Sequence, residues 1–125
     1  MTRIIEIPND RWTSFLKTIS RLADGRSVRL EVASRELGDQ DMAELQPLIG
    51  IYFETKGSER GEVVVSVGSD RGELTHVVAK PTRIAVTIND ASEPQSVAIE
   101  DADGGTTIVH FERMPALPAE PTVPA

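Results

Sequence analysis

The chain has 125 residues, no cysteine, 20 acidic against 13 basic side chains and a formal net charge of −7. A chain of this size is one domain. The lack of thiols excludes disulfides, zinc–thiolate sites and thiol chemistry, and the acidic balance argues against a general affinity for nucleic-acid backbones or anionic membrane surfaces, which reward Lys and Arg. The charge is unevenly spread, with seven basic and four acidic residues up to Arg35 but six and sixteen after it, so the two parts carry +3 and −10. A positive helix beside a negative sheet suits pairing with another copy or with an oppositely charged partner; an ordinary solvated surface with a chance imbalance explains the same numbers.

Met1 to Pro8 carries Glu6 within a short apolar stretch and does not read as a signal peptide. After Pro8, Asn9 or Asp10 is placed to accept hydrogen bonds from the free amides of a first helical turn. Trp12, Phe15, Leu16, Ile19, Leu22 and Ala23 follow at the spacing that gathers side chains on one helical face. Thr13, Ser14, Lys17, Ser20, Arg21 and Asp24 lie on the other face, and Gly25 offers the left-handed conformation that ends a helix. Trp12 in register with five apolar neighbours reads as core rather than as a binding platform.

The period then changes from 3.6 to 2. Val28, Leu30 and Val32 alternate with Arg29 and Glu31, as in a strand with one buried and one wet face. Leu37 to Gln46 fits a helical turn or an extended edge segment equally well. From Leu48 onward strand signals recur every 10 to 14 residues. Ile49, Ile51 and Phe53 alternate with Gly50, Tyr52 and Glu54; Val63, Val65 and Val67 follow the turn Lys56–Gly61; Leu74 to Ala79 follows Ser69–Gly72 and ends at Lys80-Pro81. Ile84, Val86 and Ile88, then Val97 and Ile99, then Thr107, Val109 and Phe111 complete the series. Short turns force antiparallel neighbours.

The expected fold is α+β, one N-terminal amphipathic helix packed on an antiparallel β-meander of about six to seven strands, either a curled sheet or a small open barrel. Residues 1–113 form the domain in this reading, and residues 114–125, with four prolines and almost no charge, form a flexible tail.

Several segments together carry a resemblance. They are the helix opening Trp12 to Leu16, Ser20-Arg21 ahead of Gly25, Pro47-Leu48-Ile49-Gly50-Ile51, Thr75-His76-Val77-Val78 before Pro81, and Asp103-Gly104-Gly105-Thr106-Thr107 before the last apolar strand. Over Ile4 to Phe111 the chain resembles a family of short bacterial proteins catalogued as a domain of unknown function. The resemblance implies a bacterial source and a shared fold, and it transfers no site residue.

The residues themselves offer few reactive constellations. His76 and His110 both fall in strands, where one can face the other across the sheet, but a metal site wants a third ligand. No Gly-x-Ser-x-Gly elbow surrounds any serine. The glycine turns Gly57, Gly61, Gly68 and Gly72 open no helix, so none is a phosphate loop. Asp101-Ala102-Asp103-Gly104-Gly105 has a faint likeness to a calcium loop without its downstream acid, and reads as a hairpin turn. Asp39 with Asp41 and Glu100 with Asp103 are paired carboxylates with no sign of a shared cleft. Arg21, Arg26 and Arg29 cluster near the helix end, but only Tyr52 is left outside the core pattern for base stacking. No catalytic, cofactor-binding or metal residue is therefore assigned, and neither nucleic acid nor membrane is an expected partner.

The leading expectation is a non-catalytic binding or protein-interaction module of a bacterial cytoplasm, joined to an unknown protein partner or to itself through a sheet edge. The alternative is a small enzyme or small-molecule-binding protein with a polar pocket that includes His76, His110 or Tyr52.

Overall fold

The computed structural model describes residues 1–34, 38–57, 60–69 and 72–118. Leu37, the Asp39 side chain and the tail beyond residue 118 lie outside the described residues. In chain order the elements are β1 (Arg3–Ile7), a short 3-10 turn (Asn9–Arg11), α1 (Trp12–Ala23), β2 (Ser27–Ser34), β3 (Gly38–Phe53), β4 (Val63–Ser69), β5 (Gly72–Val78), β6 (Pro81–Ile88), β7 (Pro94–Asp101) and β8 (Thr106–Phe111). The strands run in the spatial order β1-β6-β7-β8-β2-β3-β4-β5, with every neighbour antiparallel. The sheet is not closed: β1 and β5 are its edges.

The α+β class is as expected, with one helix over an antiparallel sheet, but three features differ from the sequence reading. A strand precedes the helix, since Ile5 and Ile7 face inward while β1 pairs with β6. The alternation there is masked by Ile4, which is 69% exposed. The single meander is really two, β2 to β5 and β6 to β8, joined where β8 pairs with β2. The ambiguous 37–46 segment is extended from Gly38 onward and forms the first half of β3, which raises the strand count to eight.

β3 organises the molecule. Residues 38–47 pair with β2 and 48–53 with β4, and shortly before the change of partner Leu45 adopts a positive φ of 46°. The strand thus leaves one layer and enters another, giving a large layer (β1, β6, β7, β8, β2 and the start of β3) and a small one (the end of β3, β4 and β5). A hydrogen bond of 3.0 Å between His76 Nε2 on β5 and Thr107 Oγ1 on β8 joins the two.

The helix wedges into this core. Trp12, Phe15, Leu16, Ile19 and Ala23 are buried, as the 3.6-residue spacing predicts, and Leu22 is half-buried. Full burial of such side chains is worth about 1.5–3 kcal/mol each. Trp12 meets Phe53 edge to face, with ring centroids 5.6 Å apart, and its Nε1 donates to the Ile7 carbonyl at 3.0 Å. The expected side-chain cap is not made: the Arg11 amide donates to the Pro8 carbonyl at 2.9 Å, and the 3-10 turn leads into the helix in place of Asn9 or Asp10. At the other end Gly25, with φ of 75°, donates to the Leu48 carbonyl, while Arg26 Nε donates to the Leu22 carbonyl.

The apolar core continues past residue 113, where the sequence reading drew the start of a flexible tail. Met114 and Leu117 are 6% and 7% exposed and belong to the core cluster, and the Leu117 amide donates to the Ser92 carbonyl at 2.9 Å. Prolines on either side hide this anchoring, because two apolar side chains four or fewer residues apart are no pattern until a surface receives them.

Candidate interaction groove

The structure sets His76, His110 and Tyr52, the candidates for the polar pocket of the alternative reading, in three different places. His76 points inward from the small layer onto Thr107, which is 2% exposed. Burial pushes the His76 pKa below its ordinary value near 6.5, and the charge of Asp101 opposes that shift only in part. The hydroxyl beside this imidazole is sealed from solvent, so the pair ties the layers together and offers no nucleophile to a substrate.

His110 sits on the outer face of the large layer. Its Nε2 lies 2.8 Å from Glu31 Oε1, in a cluster where Arg29 Nη1 donates to Asp41 Oδ1 at 2.8 Å. The guanidinium fills the space between the carboxylates, and those hydrogen bonds raise the Arg29 pKa. The two histidines therefore do not face each other: β5 and β8 are not neighbours, and the side chains leave opposite faces of different layers. Among the described residues no group of three or more His, Asp and Glu is arranged for a metal ion. Asp101 Oδ1 accepts the amides of Asp103 and Gly105, both at 2.9 Å, which commits that carboxylate to the hairpin turn.

Tyr52, the third candidate, is 45% exposed on the outside of the small layer and borders an open groove of about 450 Å³ between α1 and β3. One wall is the polar side of the helix, with Thr13, Lys17, Ser20 and Arg21; the other includes Ile49 and Tyr52. A register shift between Leu48 and Gly50 makes Ile49 an extra residue in the β3–β4 ladder and leaves it 46% exposed, against the inward position that simple alternation assigns it. The β3 edge opposite β4 is held to the helix by the Ile51 amide, which donates to Ser20 Oγ at 3.3 Å.

The electrostatics of this groove differ from those of the rest of the surface. Lys17 and Arg21 make no hydrogen bond or ion pair with the described residues, although acids outnumber bases in the chain. Asp24 also lines the groove, without an ion pair among the described residues. A second cleft, of about 580 Å³ beside Arg26 and Asn89, is built differently: Arg26 is bound to a helix carbonyl, and Asn89 is spent on Glu93 and on the loop amides of Ala91 and Glu93. Sequence reading put Lys17 and Arg21 on a solvated face; the bulge that sets Ile49 beside them depends on pairing with β4 and has no local signal.

The model of a family of unknown function, DUF5335, matches residues 3–120. The chain belongs to this family. An uncharacterized protein of Aquifex aeolicus (strain VF5), a bacterium, is 27% identical over 112 residues, which cover 90% of this chain and 93% of that protein. No solved structure matches. The family match starts in β1 and runs beyond Leu117, so it takes in the buried Met114 and Leu117 as well.

Proposed function

We propose that the domain is a non-catalytic protein-interaction module of the bacterial cytoplasm, and that it docks an acidic segment of a partner protein in the groove between α1 and β3. The observation that carries this reading is the pairing of two cations, Lys17 and Arg21, that have no ion-pair partner among the described residues, with exposed Ile49 and Tyr52 along one open groove. Interfaces combine an aromatic and aliphatic centre with a polar rim, and complementary rim charge steers the encounter and rejects wrong partners. Tyr52 supplies a large, stiff contact area together with a hydroxyl that is unpaired among the described residues. No helix among the described residues is long and apolar enough to cross a membrane.

The test is retention of partners from a bacterial lysate by the immobilised chain, run in parallel with Lys17→Glu/Arg21→Glu and with Arg29→Ala as a control outside the groove. A protein retained by the parent and the control but lost from the double variant, through a segment that cross-linking shows to be acidic, supports the reading. Equal retention by the double variant, or nothing retained by the parent, removes it.

A further inference from the structure

Independently of the groove, we infer that the chain forms a two-fold dimer by antiparallel pairing of β5 with β5 of a second copy. The argument starts from hydrogen-bond parity. The Glu54 amide donates to the Glu62 carbonyl, so Tyr52 and Val64 are the next pair to exchange bonds, and Val63, Val65 and Val67 turn their backbone groups to β5. Their partners Val78, His76 and Leu74 are satisfied by β4. The amides and carbonyls of Glu73, Thr75 and Val77 therefore point away from the sheet, along an edge that pairs with no other strand among the described residues.

This edge lacks the usual guards. β5 runs seven residues in unbroken register with β4, without proline, lysine or bulge. The other edge, β1, is shorter, ends at Pro8, and has Glu6 tied to Arg83. On the outer face a row Tyr52–Val64–Val77 crosses the small layer and stops at the β5 edge, with Val77 43% exposed.

The occupant that fits is the same strand turned around. Full overlap about a two-fold axis sets Thr75 opposite the second copy's Thr75, with each amide donating to the other's carbonyl, and Glu73 opposite Val77 of the second copy. No like charges meet, because the one acidic residue of the strand lies away from the axis. On the inner face, half-buried Leu74 and His76 come opposite each other and both gain cover. The result is a six-stranded small layer that runs through the dimer.

The register makes the test sharp. Sedimentation equilibrium of the full chain, over roughly 1–200 μM, is expected to show mass rising from 13.6 kDa towards twice that value. Val77→Glu places a carboxylate opposite Glu73 twice over and is expected to weaken association at least roughly tenfold. Val77→Lys keeps the dimer, and Glu73→Lys combined with Val77→Glu restores it. Circular dichroism checks that each variant is folded, and amide exchange at Glu73, Thr75 and Val77 in the parent is expected to slow as concentration rises, a readout that needs no variant. A parent that stays at 13.6 kDa with concentration-independent exchange overturns the inference. A folded Val77→Glu that dimerises like the parent overturns it too, as does a folded double variant that stays monomeric.

Discussion

The outer faces of the two layers are built on opposite principles. On the large layer charge is answered by charge: Arg83 bridges Glu6 and Glu100 across β1, β6 and β7, and Arg29 joins Asp41 and Glu31 beside His110. Beside these clusters lie small side chains, Ala85 opposite Ala98 and Thr87 opposite Ser96, and the one large apolar side chain of β1 that faces outward, Ile4, lies at the sheet edge. On the small layer and the adjoining helix, Lys17 and Arg21 are unanswered among the described residues, and Ile49, Tyr52 and Val77 are exposed. A face that satisfies its own polar groups has little to gain from a partner, whereas one that leaves cations and apolar surface together gains on both counts when an acidic segment covers it. The contrast is the ground for proposing the small layer as the recognition face.

The largest expected effect removes the contrast altogether by separating the layers. Trp12→Ala takes away the ring that packs on Phe53 and leaves the Ile7 carbonyl without its donor, and urea melts are expected to show a loss of about 3–5 kcal/mol. Lys17→Ala, on the groove side of the same helix, is expected to change stability by less than about 0.5 kcal/mol. A Trp12→Ala protein that melts like the parent would show that the helix is not a core element.

Next comes binding. Lys17→Glu/Arg21→Glu is expected to weaken capture of an acidic partner by at least roughly tenfold, about 1.4 kcal/mol, through loss of the charge complementarity at the rim. Arg29→Ala, on the self-satisfied face, is expected to leave the affinity unchanged. Titration calorimetry of the purified partner measures both, and equal weakening by the two would erase the distinction between the faces.

A smaller effect concerns the joint between the layers. The pKa of His76 is lowered in the folded protein by burial, so the folded state binds fewer protons than the unfolded chain around and below pH 6.5. Stability is then expected to be complete above that pH and to decline as pH falls towards the lowered value, with no further loss from this group below it. His76→Gln, which keeps a hydrogen-bonding group for Thr107, is expected to flatten this part of the pH profile in thermal melts. A profile unchanged by the substitution would show that another group controls it.

The smallest effect tests the paired face itself. Arg83→Gln, in an exposed network with Glu6 and Glu100, is expected to cost under about 1 kcal/mol and to do so only at low salt. A large, salt-independent loss in urea melts would mean that the cluster is structural.

Legibility in the sequence followed the range of the interaction that decides each feature. The α1 stripe from Trp12 to Ala23, the turn at Gly25, the alternation of Ile84, Val86 and Ile88, and the hairpin at Asp101 to Gly105 depend on neighbours within a few residues, and periodicity reveals them. β1 escaped because five residues with Ile4 facing outward carry too little pattern. The first half of β3 escaped because Asp39, Asp41, Met42 and Leu45 show no two-residue rhythm, and only β2 holds them extended. For the site, Tyr52 stood out as the one aromatic outside the core pattern, whereas Ile49 was assigned to the wrong side.

By itself, then, the sequence determined the α+β class, the helix and its buried face, most strands and turns, and the uneven charge that leaves Lys17 and Arg21 among few acids. Tertiary structure decided the strand order, the fold of β3 between two layers, the opposite destinations of His76 and His110, the anchoring of Met114 and Leu117, and the bulge that sets Ile49 beside Tyr52. The physical reason is that a strand's alternation says which side chains share a face but not which strand lies alongside. Pairing and register are settled by contacts across dozens of residues, and one extra residue in the ladder turns a side chain from core to surface.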